Sequence, residues 1–162
     1  LKKNNKNLIT IIIPRHVSRV NQIIDDIKKL KLNVITRSSN NKNLSKVDIF
    51  IVDTFGESKK FYKIATSVFL GGSIINKGGQ NPLEPARFGT KILHGPDVDN
   101  FKEVYRYLDL LKISSQVKNP LQCANSIIFK KNMKKVKKMK LLGKNILKNT
   151  LNELDKSLHN EI

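Results

Sequence analysis

The stretch GGSIINKGGQNPLEPARFG, residues 71–89, decides how the chain reads. It follows the apolar run SVFL, so it opens where a strand ends, and Asn81 to Phe88 reads as the helix behind it. The pairs Gly71-Gly72 and Gly78-Gly79 let backbone approach a ligand with no Cβ in the way. A helix N-terminus after such a loop offers unpaired N–H groups and a positive dipole end to an anion. Asn81 and Glu84, three apart in the first turn, place an amide and a carboxylate on one side. Gly71, Gly72, Ser73, Gly79 and Gln80 support them. The pattern suits a phosphate joined to a group rich in hydroxyls.

Working outward, strands and helices alternate. Leu8 to Ile13 is a β-branched run stopped by Pro14, the pattern of a strand buried on both faces. Ser18 is placed to cap a helix carrying Val20, Ile23, Ile24, Ile27 and Leu30 at helical spacing. Asn33–Arg37 and Asp48–Val52 read as the second and third strands. Gly56–Ala65 reads as a helix with Phe61, Ile64 and Ala65 inward, and SVFLGG as the fourth strand. KILHG gives a fifth strand, Phe101–Leu111 another helix, and Val117 a short edge strand. This order predicts right-handed βαβ units and a doubly wound parallel sheet, the α/β class. Ligands in such sheets bind at the carboxyl ends of the strands. That rim collects Pro14-Arg15-His16, Asp53–Glu57, Gly71–Glu84 and Gly95–Asn100.

Residues 1–7 read as a linker end, 8–129 as the α/β domain and 130–162 as basic amphipathic C-terminal helices broken at Gly143. That last segment has ten Lys against three acids. A solvated basic face over a core-facing stripe and a helix packing on another partner both fit it.

With 162 residues, 39% hydrophobic and 27% charged, the chain suits one domain with a full core, not a disordered one. No apolar run approaches the ~20 residues that cross a bilayer. The single Cys123 fits a reducing compartment. The chain begins at Leu1, without Met or a signal-peptide pattern, and is expected to be a piece of something longer. A formal charge of +18 raises nucleic acid or anionic lipid as partners. Three Tyr, no Trp and no recognisable binding motif argue against specific nucleic acid. An anionic membrane surface stays open.

A guanidinium at a strand's carboxyl end, here Arg15, can clamp a phosphate bidentately. His16 beside it contacts an anion or serves the turn. In Asp53-Thr54-Phe55-Gly56-Glu57, Gly56 permits close approach and Phe55 can lie against a planar base. The same residues suit a capped turn, with Asp53 or Thr54 accepting N–H bonds and Glu57 complementing the helix dipole. Glu84 is the sharpest carboxylate, because an acid near a phosphate-binding helix is how α/β sites grip ribose hydroxyls. No Ser-His-Asp arrangement, zinc spacing, P-loop or GxGxxG follows a strand, so no metal or cofactor is implied. His94 and His159 lack recognisable partners and read as core or surface residues.

PRHVSR (14–19), DTFGE (53–57), the long 71–89 motif and HGPDVDNF (94–101) together resemble the C-terminal half of 3-deoxy-D-manno-octulosonic acid (Kdo) transferases, lipid A glycosyltransferases. The resemblance implies a GT-B enzyme with two Rossmann-like domains, of which this chain matches the second, the donor-binding domain that holds the CMP part of CMP-Kdo. By motif, Pro14, Arg15, Phe55, Gly56, Glu57, Asn81, Pro82, Leu83 and Glu84 match donor-contacting positions. Phe55 stands where the family usually has Met, and Gln80 where it usually has His. The family's catalytic base is a Glu of the N-terminal domain, outside these residues. No catalytic residue is therefore named here, and the chain alone is expected to be inactive. The resemblance also implies lipopolysaccharide biosynthesis, a lipid A precursor as acceptor and the cytoplasmic face of the bacterial inner membrane. Two other readings stand beside it. One is a non-catalytic residual or split-gene product that binds nucleotide or packs on a separate N-terminal half. The other is a basic phosphate-binding module for nucleic acid or membrane.

Overall fold

The β-branched runs fold into short parallel strands. The computed structural model describes residues 8–40, 43–131, 133, 134, 136, 137, 139–141, 151 and 152. Two compact units divide the chain, the first ending at Phe61 and the second beginning at Tyr62.

In the first unit β1 (Thr10–Ile12), β2 (Val34–Thr36) and β3 (Ile49–Ile51) form a parallel sheet in the order β1-β3-β2. Ile12 and Thr36 both pair with Ile51. The helix α1 (Val20–Lys29) buries Val20 and Ile27, and its Ile23 and Ile24 pack with Ile12, Val34 and Ile49 around buried Ile51. That apolar stripe at helical spacing is what seats the helix. The boundary between the units falls within α2 (Ser58–Ile64), whose Phe61 ring lies 5.9 Å from that of Phe50.

In the second unit β4 (Ser67–Leu70), β5 (Lys91–His94) and β6 (Ser114–Gln116) form a second parallel sheet in the order β4-β5-β6. The helices here are α3 (Leu83–Ala86), α4 (Lys102–Leu110) and α5 (Pro120–Ser126). Leu70, Ala86, Ile92, Tyr105, Leu108 and Ile113 form its core. Lys131 fastens the segment after α5, because its Nζ donates to the carbonyls of Tyr62, Lys63 and Phe88 at 2.7, 2.8 and 3.0 Å.

Several expectations need correction. The first strand is not buried on both faces: Thr10 is exposed and Ile11 and Ile12 are half-buried, as an edge position in a small sheet dictates. Ser18 lies inside a 3-10 turn (Val17–Arg19), and α1 starts behind Arg19 with no side-chain cap. Ile64, expected inward, is 67% exposed at the end of α2. The helix over Asn81–Phe88 shrinks to the single turn of α3. Pro85 has no N–H to give to Asn81, and Gly89 at φ +73° ends the turn with its amide on the Ala86 carbonyl. The edge strand sits at Ser114–Gln116, with Val117 just beyond it and buried. The α5 helix was not expected.

After Lys131, the described residues from Met133 to Leu141 have helical backbone, with Val136 buried. The linker end 1–7, the break at Gly143, and Ile146, Leu154, Leu158 and His159 lie outside the described residues.

Candidate functional site

The carboxyl ends of the strands carry the candidate residues, one set in each unit. In the first unit the parallel pairing brings three loops out of the sheet at one end. The Val52 amide donates to the Ile12 carbonyl at 2.9 Å and the Arg37 amide to the Ile51 carbonyl at 2.8 Å. The Pro14-Arg15-His16 and Asp53–Glu57 loops therefore leave the sheet beside each other, with Arg37-Ser38 on the other side. Pro14 is half-buried, while Arg15 and His16 are exposed. The His16 carbonyl accepts from the Arg19 amide at 3.1 Å, so the backbone of His16 serves the turn into α1.

Both acids after β3 are held by neighbours. Asp53 accepts from the Ser38 amide at 2.9 Å and from the Ser38 hydroxyl. Partial burial opposes ionisation of Asp53, yet these bonds outweigh it and hold the carboxyl below its ordinary value. Glu57 takes Lys60 Nζ on Oε1 at 2.9 Å, and Arg37 Nε at 3.2 Å and the Thr54 hydroxyl on Oε2. Lys60 first, then Thr54 and Arg37, lower its pKa to about 2. Between these acids Phe55 is 81% exposed, and Gly56, at φ +76°, has open space where a Cβ would stand. Gly56 and Glu57, read as the start of the helix, precede α2, which begins at Ser58.

In the second unit Leu70 pairs with His94, so the 71–80 and 95–100 loops emerge side by side. Ser73 joins them from a fully buried position. Its hydroxyl donates to the Leu70 carbonyl at 2.6 Å and accepts the Gly95 amide at 2.8 Å. Gly72 and Gly79 both have positive φ, and the Gly79 amide donates to the Gly72 carbonyl at 3.2 Å. Asn81 is exposed, and its Oδ1 accepts from the Leu83 amide at 2.9 Å. That bond occupies one of the first-turn amides expected to face an anion. Pro82 is buried, and Leu83 and Glu84 are half-buried in the single turn of α3. One turn of helix carries little macrodipole. Burial and then the Glu84 carboxylate raise the pKa of the Tyr62 hydroxyl.

Asp97, Asn100 and Tyr105 were not singled out from the sequence, though the first two lie in HGPDVDNF. The Tyr105 hydroxyl donates to the Gln80 carbonyl at 2.9 Å, immediately before Asn81. His94 is buried with Nδ1 2.7 Å from the Gly95 carbonyl and its ring 4.4 Å from that of Tyr105, a core role. A cavity of about 580 Å³ lies at the amino ends of β5 and β6, lined by Thr90, Lys91, Ile113 and Phe129 among others. It faces away from these loops and is not the candidate site. Among the described residues no cluster of three or more His, Cys, Asp or Glu could hold a metal ion. Among them, too, no helix is long and apolar enough to cross a membrane.

No family model matches the chain. Among solved structures, the C-terminal CMP-Kdo binding domain of WaaA from Acinetobacter baumannii superposes with a TM-score of 0.71 at 23% identity, over 76% of this chain and 65% of that one. The chain thus shares the fold of that domain, a Rossmann-like arrangement of parallel strands and flanking helices. Among curated proteins, the 3-deoxy-D-manno-octulosonic acid transferase of Rickettsia prowazekii is 33% identical over 98% of this chain and 34% of its own length. That of Haemophilus influenzae is 37% identical over 63% of this chain and 24% of its own length. A bifunctional glycosyltransferase/methyltransferase of Fusobacterium nucleatum is 34% identical over 72% of this chain and 19% of its own length. The chain is homologous to the C-terminal part of the Kdo transferases. It spans 24% to 34% of the length of the two transferases just named.

Proposed function

We propose that this chain is the donor-binding part of a Kdo transferase and holds the CMP portion of CMP-Kdo. The observation that carries the reading is the 33% identity to the Rickettsia prowazekii transferase over 98% of the chain. The fold it shares with the Acinetobacter baumannii domain supports it. Arg15, exposed at the end of β1, is the group for the donor phosphate. Its charge is worth most on the leaving CMP, where negative charge grows as the glycosidic bond breaks. Phe55 offers a face to the cytosine ring, with Pro14, Gly56 and the Glu57 turn shaping the space beside it. Glu84, supported by Asn81, Pro82 and Leu83, takes ribose hydroxyls. None of these residues activates the acceptor. A base supplied by a further domain would deprotonate the acceptor hydroxyl of a lipid A precursor, so this chain alone turns over nothing. No metal or cofactor takes part in this scheme. The place of action is the cytoplasmic face of the inner membrane, where the basic surface of the chain favours anionic lipid.

Calorimetric titration of CMP into wild-type chain and Glu84→Ala tests the reading. Wild type is expected to bind saturably, with Glu84→Ala weaker by about tenfold, the loss of a charge-assisted hydrogen bond. Folded wild type with no CMP binding sinks it. Binding that falls steeply with salt and ignores Glu84 points instead to a general phosphate-binding surface.

A further inference from the structure

The loop between the two glycine pairs is clasped by its neighbour. The amides of Lys77 and Gly78 both donate to one oxygen, Asp97 Oδ2, at 2.6 and 2.9 Å. Asn100 holds the same two residues by their carbonyls: its Nδ2 donates to Lys77 O and its amide to Gly78 O, each at 3.1 Å. The Asp97 amide closes the arrangement on the Ser73 carbonyl at 2.9 Å. Two consecutive amides aimed at one carboxylate oxygen form the kind of concavity that binds anions, and here a side chain of the protein fills it.

The glycines fit this clasp. Gly78 has φ +70°, and a Cβ there would stand 2.4 Å from Asn100 Nδ2. At Gly79, φ +69°, a Cβ would meet the Asp97 carbonyl at 3.2 Å. Positive φ and contact with the 95–100 loop thus both favour glycine at this second pair. Two residues beyond the clasp, the buried Tyr105 hydroxyl donates to the Gln80 carbonyl. The backbone entering Asn81–Glu84 is thus fixed from both sides.

We infer that Asp97 is a positioning residue of the donor site: by occupying the Lys77 and Gly78 amides it locks the glycine loop and orients Asn81 and Glu84 toward the nucleotide. This rests on the CMP reading above. It reverses the role that the glycine loop would have as a phosphate cradle, and the two roles differ in sign. Removing Asp97 deletes a negative charge and frees two amides, and both changes favour an incoming phosphate if those amides are its ligands. If Asp97 positions the loop, the same change weakens CMP binding, because the loop must be ordered at the moment of binding.

The test is CMP titration of wild type, Asp97→Ala and Asp97→Asn, with hydrogen exchange of the Lys77 and Gly78 amides. Asp97→Asn removes the charge and keeps an acceptor oxygen. Expected are exchange protection of both amides in wild type, its loss in Asp97→Ala with the Ile92 amide still protected, and CMP affinity lower by about tenfold. Asp97→Asn is expected to restore most of both. CMP affinity equal to or higher than wild type in folded Asp97→Ala overturns the positioning role and leaves the donor reading standing. No CMP binding by wild type overturns the donor reading, and the positioning role with it. Should Asp97→Ala not fold, Asn100→Ala decides the matter: weaker CMP binding supports the clasp, and unchanged affinity overturns it.

Discussion

Arg37 Nε lies 3.2 Å from Glu57 Oε2, tying the residue after β2 to the turn after β3. With Lys60 as the larger influence, this environment takes Glu57 from its ordinary 4.5 to about 2. The folded value lies below the unfolded one, so the stabilisation is complete above about pH 4.5 and is lost as pH falls toward 2. Glu57→Gln is therefore expected to melt below wild type at pH 7, with the gap closing between pH 4.5 and 2. Melting curves across that range check it. A gap that persists undiminished at pH 2 would assign the effect to packing and not to charge.

Phe55 separates binding from folding. At 81% exposure its ring contributes little to the core, so Phe55→Ala is expected to shift stability by less than about 0.5 kcal/mol. A base lying on that ring gains about 1–3 kcal/mol of stacking, so CMP affinity should fall by about fivefold or more. Unchanged affinity in the folded variant removes Phe55 from the site.

Much of this architecture was legible because apolar runs stop at punctuation. Ile49–Ile51 between Asp48 and Asp53, and Ser67–Leu70 before Gly71, announce strands and the loops at their carboxyl ends. The β6 strand was misplaced because Ser114-Ser115-Gln116 has no apolar pattern. It forms because Ile92 and Leu93 offer it a ladder, and buried Ser114 finds the Asp109 carboxylate with its hydroxyl. Helix lengths were overread where prolines and glycines cluster, so α3 is one turn. At the site, the residue types at strand ends were visible, whereas the hold of Ser38 on Asp53 and of Asp97 on Lys77 was not. Those pairs are 15 and 20 positions apart, and periodicity carries no signal at that range.

The α5 helix was missed although its start carries a recognisable signature. Asn119 Oδ1 accepts the Gln122 amide at 2.8 Å, Pro120 occupies the first turn, and Gln122 Oε1 accepts the Lys118 amide at 2.8 Å. A short exposed helix depends on such local bonds more than on burial. Asn119→Ala is expected to cost about 1 kcal/mol, read as a lower urea midpoint with an unchanged slope. Asn119→Asp should retain the stability, since a carboxylate oxygen accepts the same amide. Equal loss in both variants would place the Asn119 contribution elsewhere.

The approach of the two rim loops in the second unit has its own stability test at Gly95. A Cβ there would stand 2.1 Å from the Ser73 carbonyl oxygen and 2.6 Å from its carbon. Both are backbone atoms, and Ser73 cannot retreat freely. Its hydroxyl holds the Leu70 carbonyl, and the carbonyl itself accepts the Asp97 amide. Gly95→Ala must therefore push the loops apart and strain several bonds at once, an overpacking cost of about 3 kcal/mol. At Gly71 a Cβ meets nothing within 4 Å and φ is not in the left-handed region, so Gly71→Ala is expected to change stability by under about 1 kcal/mol. Urea unfolding of the two variants beside wild type separates crowding from the general effect of adding a methyl group to a loop. If Gly95→Ala unfolds at the same midpoint as Gly71→Ala, the 71–80 and 95–100 loops do not meet as closely as described, and the Asp97 clasp that depends on their meeting falls with them.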